Sequence, residues 1–288
     1  MIYLLLSIAS SSIIFVVFKL FARFKVNTLH AIVINYFTAS TLGVLLYNGE
    51  IPLPSIPHQD WFFSAVALGF LFILIFNLMA LTTQRSGLSV VSAATKMSVV
   101  IPIVFGILYY KEPLGFFKTT GIIIALIAVY LASVKSKDGV AFKKTDLIFP
   151  VLVFLGSGAI DTSIKYLEGK YLSEGDLPIF LTMVFGTAGI IGTLIIIGQI
   201  LRKRFTFEVK NIIAGICLGV PNYGSMYFLV KALRNDAFDS STIFTINNVG
   251  VVMVSTLIGI LLFTEKLHLK NWIGIALAVI SIIFVSLS

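Results

Sequence analysis

KMSVVIPIVFGILYYKEPLGFFKTTGIIIALIAVYLAS, residues 96–133, is answered by VGVVMVSTLIGILLFTEKLHLKNWIGIALAVISIIFVS, residues 249–286, at a constant offset of 153 and without a gap. Val99, Gly106, Ile107, Leu108, Glu112, Leu114, Gly121, Ile122, Ala125, Ile127 and Ser133 each meet an identical residue. Biased composition accounts for some matched Ile and Leu. It does not account for a Glu, two Gly and a Leu kept in register across a polar turn. The chain therefore contains an internal repeat. Weaker likeness carries it back through Met79-Ala80-Leu81 against Lys231-Ala232-Leu233, and through Lys19 against Lys165.

Working outward, apolar runs cover residues 2–22, 29–47, 62–82, 90–110, 116–134, 147–167, 177–200, 211–232, 242–263 and 271–287. Each can cross about 30 Å of hydrocarbon. Each must be helical, because a helix satisfies its own peptide groups where no water can. The connectors are short and polar, and none could house a soluble domain. Five spans fall in each half, with the division at 1–134, a connector at 135–146 and a second unit at 147–288. An odd number of spans forces the second unit to enter from the opposite side. The expected fold class is an all-α membrane protein of ten transmembrane helices, arranged as two inverted five-helix repeats.

Composition agrees. Charged residues make up 12% of the chain against 58% hydrophobic ones, with a mean hydropathy of +1.03; soluble domains carry roughly 25% charge. The formal charge of +8 sits in gaps between apolar runs and not on one face, so nucleic acid is not an expected partner. The expected partners are the lipid bilayer and a small molecule. Cys217, the single cysteine, lies in an apolar run, and His30, His58 and His268 are far apart, so neither a metal site nor a cofactor is expected. The first run is long enough to span, and no cleavable leader is needed.

The paired segments Ser98-Val-Val-Ile-Pro102, Gly106, Lys111-Glu112-Pro113-Leu114, Gly121 and Ser255, Gly259, Thr264-Glu265-Lys266-Leu267, Gly274 resemble the EamA branch of the drug/metabolite transporter superfamily. The likeness covers essentially the whole chain; Ser255 in place of Pro102 is its mild departure. It implies a secondary carrier of small metabolites with a central cavity, in the cell membrane, and in a bacterium the inner membrane. Related small multidrug transporters carry a first-span glutamate that exchanges protons for cationic drugs. Here Lys19 is the only ionisable group of that span, which argues against such a route.

Ionisable groups in hydrocarbon cost about 2.5–3.5 kcal/mol at a helix centre and each needs a reason. Lys96 lies inside the fourth span, where it either offers charge to a carboxylate or snorkels to the interface. Asp161 and Lys165 stand four apart on the sixth span, placed to pair within the helix or to let Asp161 accept a proton. Lys19 and Lys231, near span ends, read as snorkelling. Gly219-Val-Pro221-Asn222-Tyr223-Gly224 predicts a discontinuous eighth span, with Asn222 and Tyr223 placed to bond a ligand. Asn247 and Asn248 in the ninth span and Asn77 in the third join these candidate substrate contacts, with helix-to-helix bonding as the alternative for each. Gly186, Gly189, Gly192, Gly215 and Gly219 read as packing residues. Glu112 and Glu265 each precede a helix and read as caps of its start, with Pro113 at the first helical position.

Thirteen Lys and Arg fall in connectors 1–2, 3–4, 5–6, 7–8 and 9–10, against Lys111, Lys118, Lys170 and Arg234 on the other face. The positive-inside rule then puts both termini outside; the family resemblance implies both inside. Two other functions compete. An intramembrane enzyme, such as a prenyl or lipid-linked transferase, has only Asp236-Ala-Phe-Asp239 to suggest it, too few ligands for metal-assisted phosphoryl chemistry. A passive channel would need filter loops or charge rings, and none stands out. The expectation is a carrier and not an enzyme.

Overall fold

A computed structural model describes residues 1–48, 53–86, 94–113, 115–133, 148–173, 175–203, 208–234, 238–263 and 269–287. Among the described residues ten α-helices form the bundle. They are α1 (Ile2–Arg23), α2 (Thr28–Leu45), α3 (Phe62–Ser86), α4 (Val100–Tyr109), α5 (Phe116–Ser133), α6 (Ile148–Tyr171), α7 (Leu177–Leu201), α8 (Val209–Leu233), α9 (Ser240–Phe263) and α10 (Leu269–Ser286). Seven are long and apolar enough to span on their own; the apolar stretches Ala94–Tyr109, Phe116–Leu131 and Trp272–Val285 are shorter. The protein is an all-α membrane protein of about ten spans. The starts of α1, α3, α5, α7 and α9 define a first face, and the ends of the same helices the opposite, second face.

Two helices outrun their apolar sequence: α3 continues to Ser86 and α6 to Tyr171. A helix ends where its hydrogen bonding ends, and polar side chains at the membrane surface do not stop it. The eighth span corrects an expectation. α8 runs unbroken through Pro221, because it is clamped along its length by α1 and α2. A Cβ on Gly215 would come within 2.7 Å of the Ala31 carbonyl, and one on Gly219 within 2.8 Å of the Asn35 carbonyl. These two glycines let the α2 and α8 backbones touch.

The interruption falls in the fourth span instead. Ala94–Met97 is helical, Ser98-Val99 forms a turn, and α4 resumes at Val100. Pro102 has no N–H to offer the Ser98 carbonyl, and its ring crowds that oxygen. The Ser98 carbonyl is bonded by the Ile101 N–H at 2.9 Å, one residue early. Lys96 therefore sits on a short turn of helix just before the break.

Helix pairing follows one pattern. α1 packs on α8 as α3 packs on α6, α2 on α8 as α3 on α7, and α1 on α9 as α4 on α6. The pairs α2–α7, α4–α9 and α5–α10 complete the set. Replacing each helix by the one five places away maps this set onto itself. Other contacts do not follow the exchange: α9 packs on α5 and α10, and α8 touches α6, α7 and α9. A void of about 10 Å³ lies between α4, α5 and α9.

Candidate functional site

Burial along α1 and α9 locates a cleft. Leu4, Ser7, Ile8 and Ser12 of α1 are buried, but from Ile13 to Leu20 no side chain is. A packed helix buries one side every third or fourth residue, so this half of α1 has open space beside it. α9 gives the sharper contrast. Every residue from Ser240 to Val252 is buried, and none from Met253 to Ile258 is. Both helices are more fully buried toward the first face than toward the second.

Lys96 and Asp161 meet in this opening. Both are half-buried and lie within electrostatic reach of one another. The Lys96 ammonium stands 5.3 Å from the centre of the Phe15 ring, on the open half of α1, a cation–π contact. Asp161 is flanked on α6 by Ile160 and Ile164, which belong to the same apolar cluster as Tyr36 and Tyr223. The hydroxyls of both tyrosines are buried without a hydrogen-bond partner among the described residues. Tyr36 stands against Phe76 and Phe185, and Tyr223 stacks on Tyr227 at 5.7 Å. The region thus holds one cation and one carboxylate, both half-buried, beside an apolar cluster that encloses two buried hydroxyls without a partner among the described residues.

Lys165 does not pair with Asp161, as the four-residue spacing suggested. Its ammonium lies 3.2 Å from Glu168, 3.5 Å from the Leu233 carbonyl and over the Tyr110 ring. Glu168 is buried and also holds Arg234 at 2.9 Å, so it draws Lys165 toward the first face. The amide candidates are bonded to protein. Asn222 Nδ2 donates to Asn35 Oδ1 across α2 and α8 at 3.0 Å. Asn247 Oδ1 accepts from the Ser7 hydroxyl across α1 and α9 at 2.9 Å. Asn248 donates to the Phe244 carbonyl and Asn77 to the Ile73 carbonyl, each within its own helix. Lys19 lies 4.0 Å above the Phe263 ring, where the second-face ends of α1 and α9 approach.

The first face carries its own charged closure. Glu112 was expected to cap the fifth span; its carboxylate instead caps α9. Glu112 Oε1 accepts from the Ser240 N–H at 3.1 Å and from the Ser240 hydroxyl, and Oε2 accepts from the Ser241 N–H at 3.2 Å. The reason is position: α5 starts only at Phe116, while the free N–H groups of α9 face the 4–5 turn. Lys118, only 2% exposed, pairs with Asp239 and lies 3.7 Å from Glu112. Asp239 therefore has a structural partner; Asp236 and Glu265 lie outside the described residues. A cavity of about 320 Å³ opens here, edged by Tyr110, Lys111, Lys165 and Asp239. Among the described residues no group of three or more His, Cys, Asp or Glu is placed to hold a metal.

Sequence reading missed four participants. Phe15 and Asn35 look like any other residues of an apolar helix. Lys118 counts as a connector charge until its burial is seen. Glu168 had one local signal, its place three residues after Lys165.

Residues 1–134 match the EamA-like transporter family. An uncharacterized protein of Haemophilus influenzae is 27% identical over 281 residues, covering 94% of this chain and 93% of that one. A protein of known crystal structure superposes with a TM-score of 0.78 over 99% of this chain and 96% of its own, at 12% identity, which speaks for the fold alone. Through residues 1–134, just under half of its length, the chain is thus similar to the EamA-like transporter family.

Proposed function

We propose that the protein is a secondary carrier that moves a small polar or amphipathic, carboxylate-bearing metabolite across the cell membrane by alternating access. The observation that carries this reading is the burial switch along α9, complete to Val252 and absent from Met253 to Ile258. A helix closed at one end and open at the other is what a one-sided cleft requires. The two repeats, 1–134 and 147–288, supply the second state. Lys96 receives the substrate carboxylate, and Asp161 takes its place as the lysine's counter-charge when the site is empty. Tyr223 and Tyr36 donate to polar groups of the substrate, while the amides of Asn222, Asn247, Asn248 and Asn77 hold helices in register.

The test is flux into proteoliposomes loaded with a mixture of organic acids and neutral metabolites. Lys96→Ala is expected to reduce transport of the carboxylates by about tenfold or more, the scale of one charge-assisted hydrogen bond, and to spare any neutral substrate. Wild-type rates for carboxylates in that variant would remove Lys96 from the site. Countertransport, in which an outward gradient of one substrate drives inward flux of another, separates a carrier from a channel.

A further inference from the structure

Three elements of the first face converge on one carboxylate. After α4 ends, Lys111 takes a left-handed φ of 54°, a conformation that side-chain-bearing residues seldom hold without support. It turns the chain so that Glu112 points back over α4 at the start of α9. There the carboxylate receives two backbone N–H groups and a hydroxyl. Gly106 sits directly beneath. A Cβ at that position would lie 3.0 Å from Glu112 Oε1 and 3.1 Å from the Ser240 hydroxyl, so an alanine there meets the clasp on both sides. Lys118, buried at 2% exposure, reaches both Glu112 and Asp239 from α5. Four groups on the 4–5 turn, α4, α5 and the start of α9 are thereby joined.

This junction stands at the end of α9 from which its fully buried stretch begins. All of α9 that is buried on every side, Ser240 to Val252, hangs from the end that Glu112 caps. The connection crosses from the first repeat into the second, unlike an ordinary cap, which serves the helix next to it in sequence. Its bonds are to backbone N–H groups, which can exchange them for water if the turn swings away.

We infer that Glu112 is a releasable clasp: it holds the start of α9 against α4 while the cleft is closed to the first face, and its release opens that face. Lys118 is the positioning residue that keeps the carboxylate aimed. The clasp rests on the carrier reading, since only a carrier has to open this end, but its test needs no transport.

Single cysteines are placed in a Cys217→Ala background at Thr245, buried at 1% exposure, and at Thr256, half-buried in the open part of α9. Labelling by a small membrane-impermeant thiol reagent is followed in purified full-length protein in nanodiscs, which expose both faces. In the parent, the Thr256→Cys site reacts and the Thr245→Cys site does not. Glu112→Ala is expected to raise labelling at the Thr245→Cys site about tenfold or more, the scale of one lost charge-assisted hydrogen bond, and to lower it at the Thr256→Cys site. Gly106→Ala, which leaves the carboxylate in place but pushes on it, is expected to shift both sites the same way. An unfolded variant would instead expose both sites, which reports instability and overturns the assignment of a clasp. Unchanged protection at the Thr245→Cys site in both variants also overturns it. If the labelling swaps while no metabolite is carried, the clasp stands and the carrier reading fails.

Discussion

At the scale of single residues, the same amino acid serves opposite ends according to what its neighbours leave free. Asn222 and Tyr223 are adjacent, yet the amide is bonded across α2 and α8 while the phenol has no partner among the described residues. Truncating them should therefore separate stability from flux. Asn222→Ala is expected to cost about 0.6 kcal/mol, the average for such interhelical bonds in a membrane, and a cycle with Asn35→Ala should show the two losses to be non-additive. Thermal unfolding in detergent measures both. Tyr223→Phe removes a hydroxyl that bonds nothing in the protein, so its unfolding temperature should stay level or rise. Its flux should fall if the hydroxyl meets the substrate, and unchanged flux would assign Tyr223 to packing alone. Lys96 and Asp161 belong at this scale too. Their types and depths could be read in the sequence, but their meeting could not, because they lie on different helices, 65 positions apart by number (161 less 96).

At the scale of helices, proline acts according to what surrounds it. Pro221 follows Gly215 and Gly219, which press α8 onto α2, and precedes Gly224, which faces Ser10 of α1, and the helix continues. Pro102 lies between Ser98 and Gly106, and there the span breaks into two pieces at Ser98-Val99. The motif richest in glycine and proline drew attention to the wrong helix. Lateral support, which local sequence does not encode, decides whether a missing N–H bends a helix. Pro102→Ala restores the donor that the Ser98 carbonyl lacks. It should raise the unfolding temperature and slow exchange flux, because a continuous fourth span fixes Lys96 rigidly to α4. Faster flux in that variant would show that the break has no part in the cycle. The helix starts teach the same lesson. Glu112 was legible as a cap from its place before a helix, but the helix it caps, α9, is 128 positions further on (240 less 112).

At the scale of the molecule, the pairing of helices α1 to α5 with those of α6 to α10 follows the repeat seen in residues 96–133 and 249–286. The fall in burial along α1 and α9 gives the side toward which the bundle is less tightly closed. That side is the second face, which holds thirteen of the connector Lys and Arg residues. By the positive-inside rule it lies in the cytoplasm, so the expected state is open inward with both termini outside. A reporter fused to the C-terminus and active only in the cytoplasm should give no signal; a strong signal would reverse the orientation and make the same cleft open outward.

The sequence by itself determined the solvent, the number of spans, the helical class and the repeat. Those depend on apolar length and on the rule that lipid leaves no peptide group unbonded, both of which act along the chain. Only the tertiary structure decided that Lys96 faces Asp161, that Glu168 claims Lys165, that Glu112 closes over α9, and which end of the bundle is shut. Each of these joins residues from helices far apart in number, where distance is set by packing and a one-dimensional pattern carries no record of it.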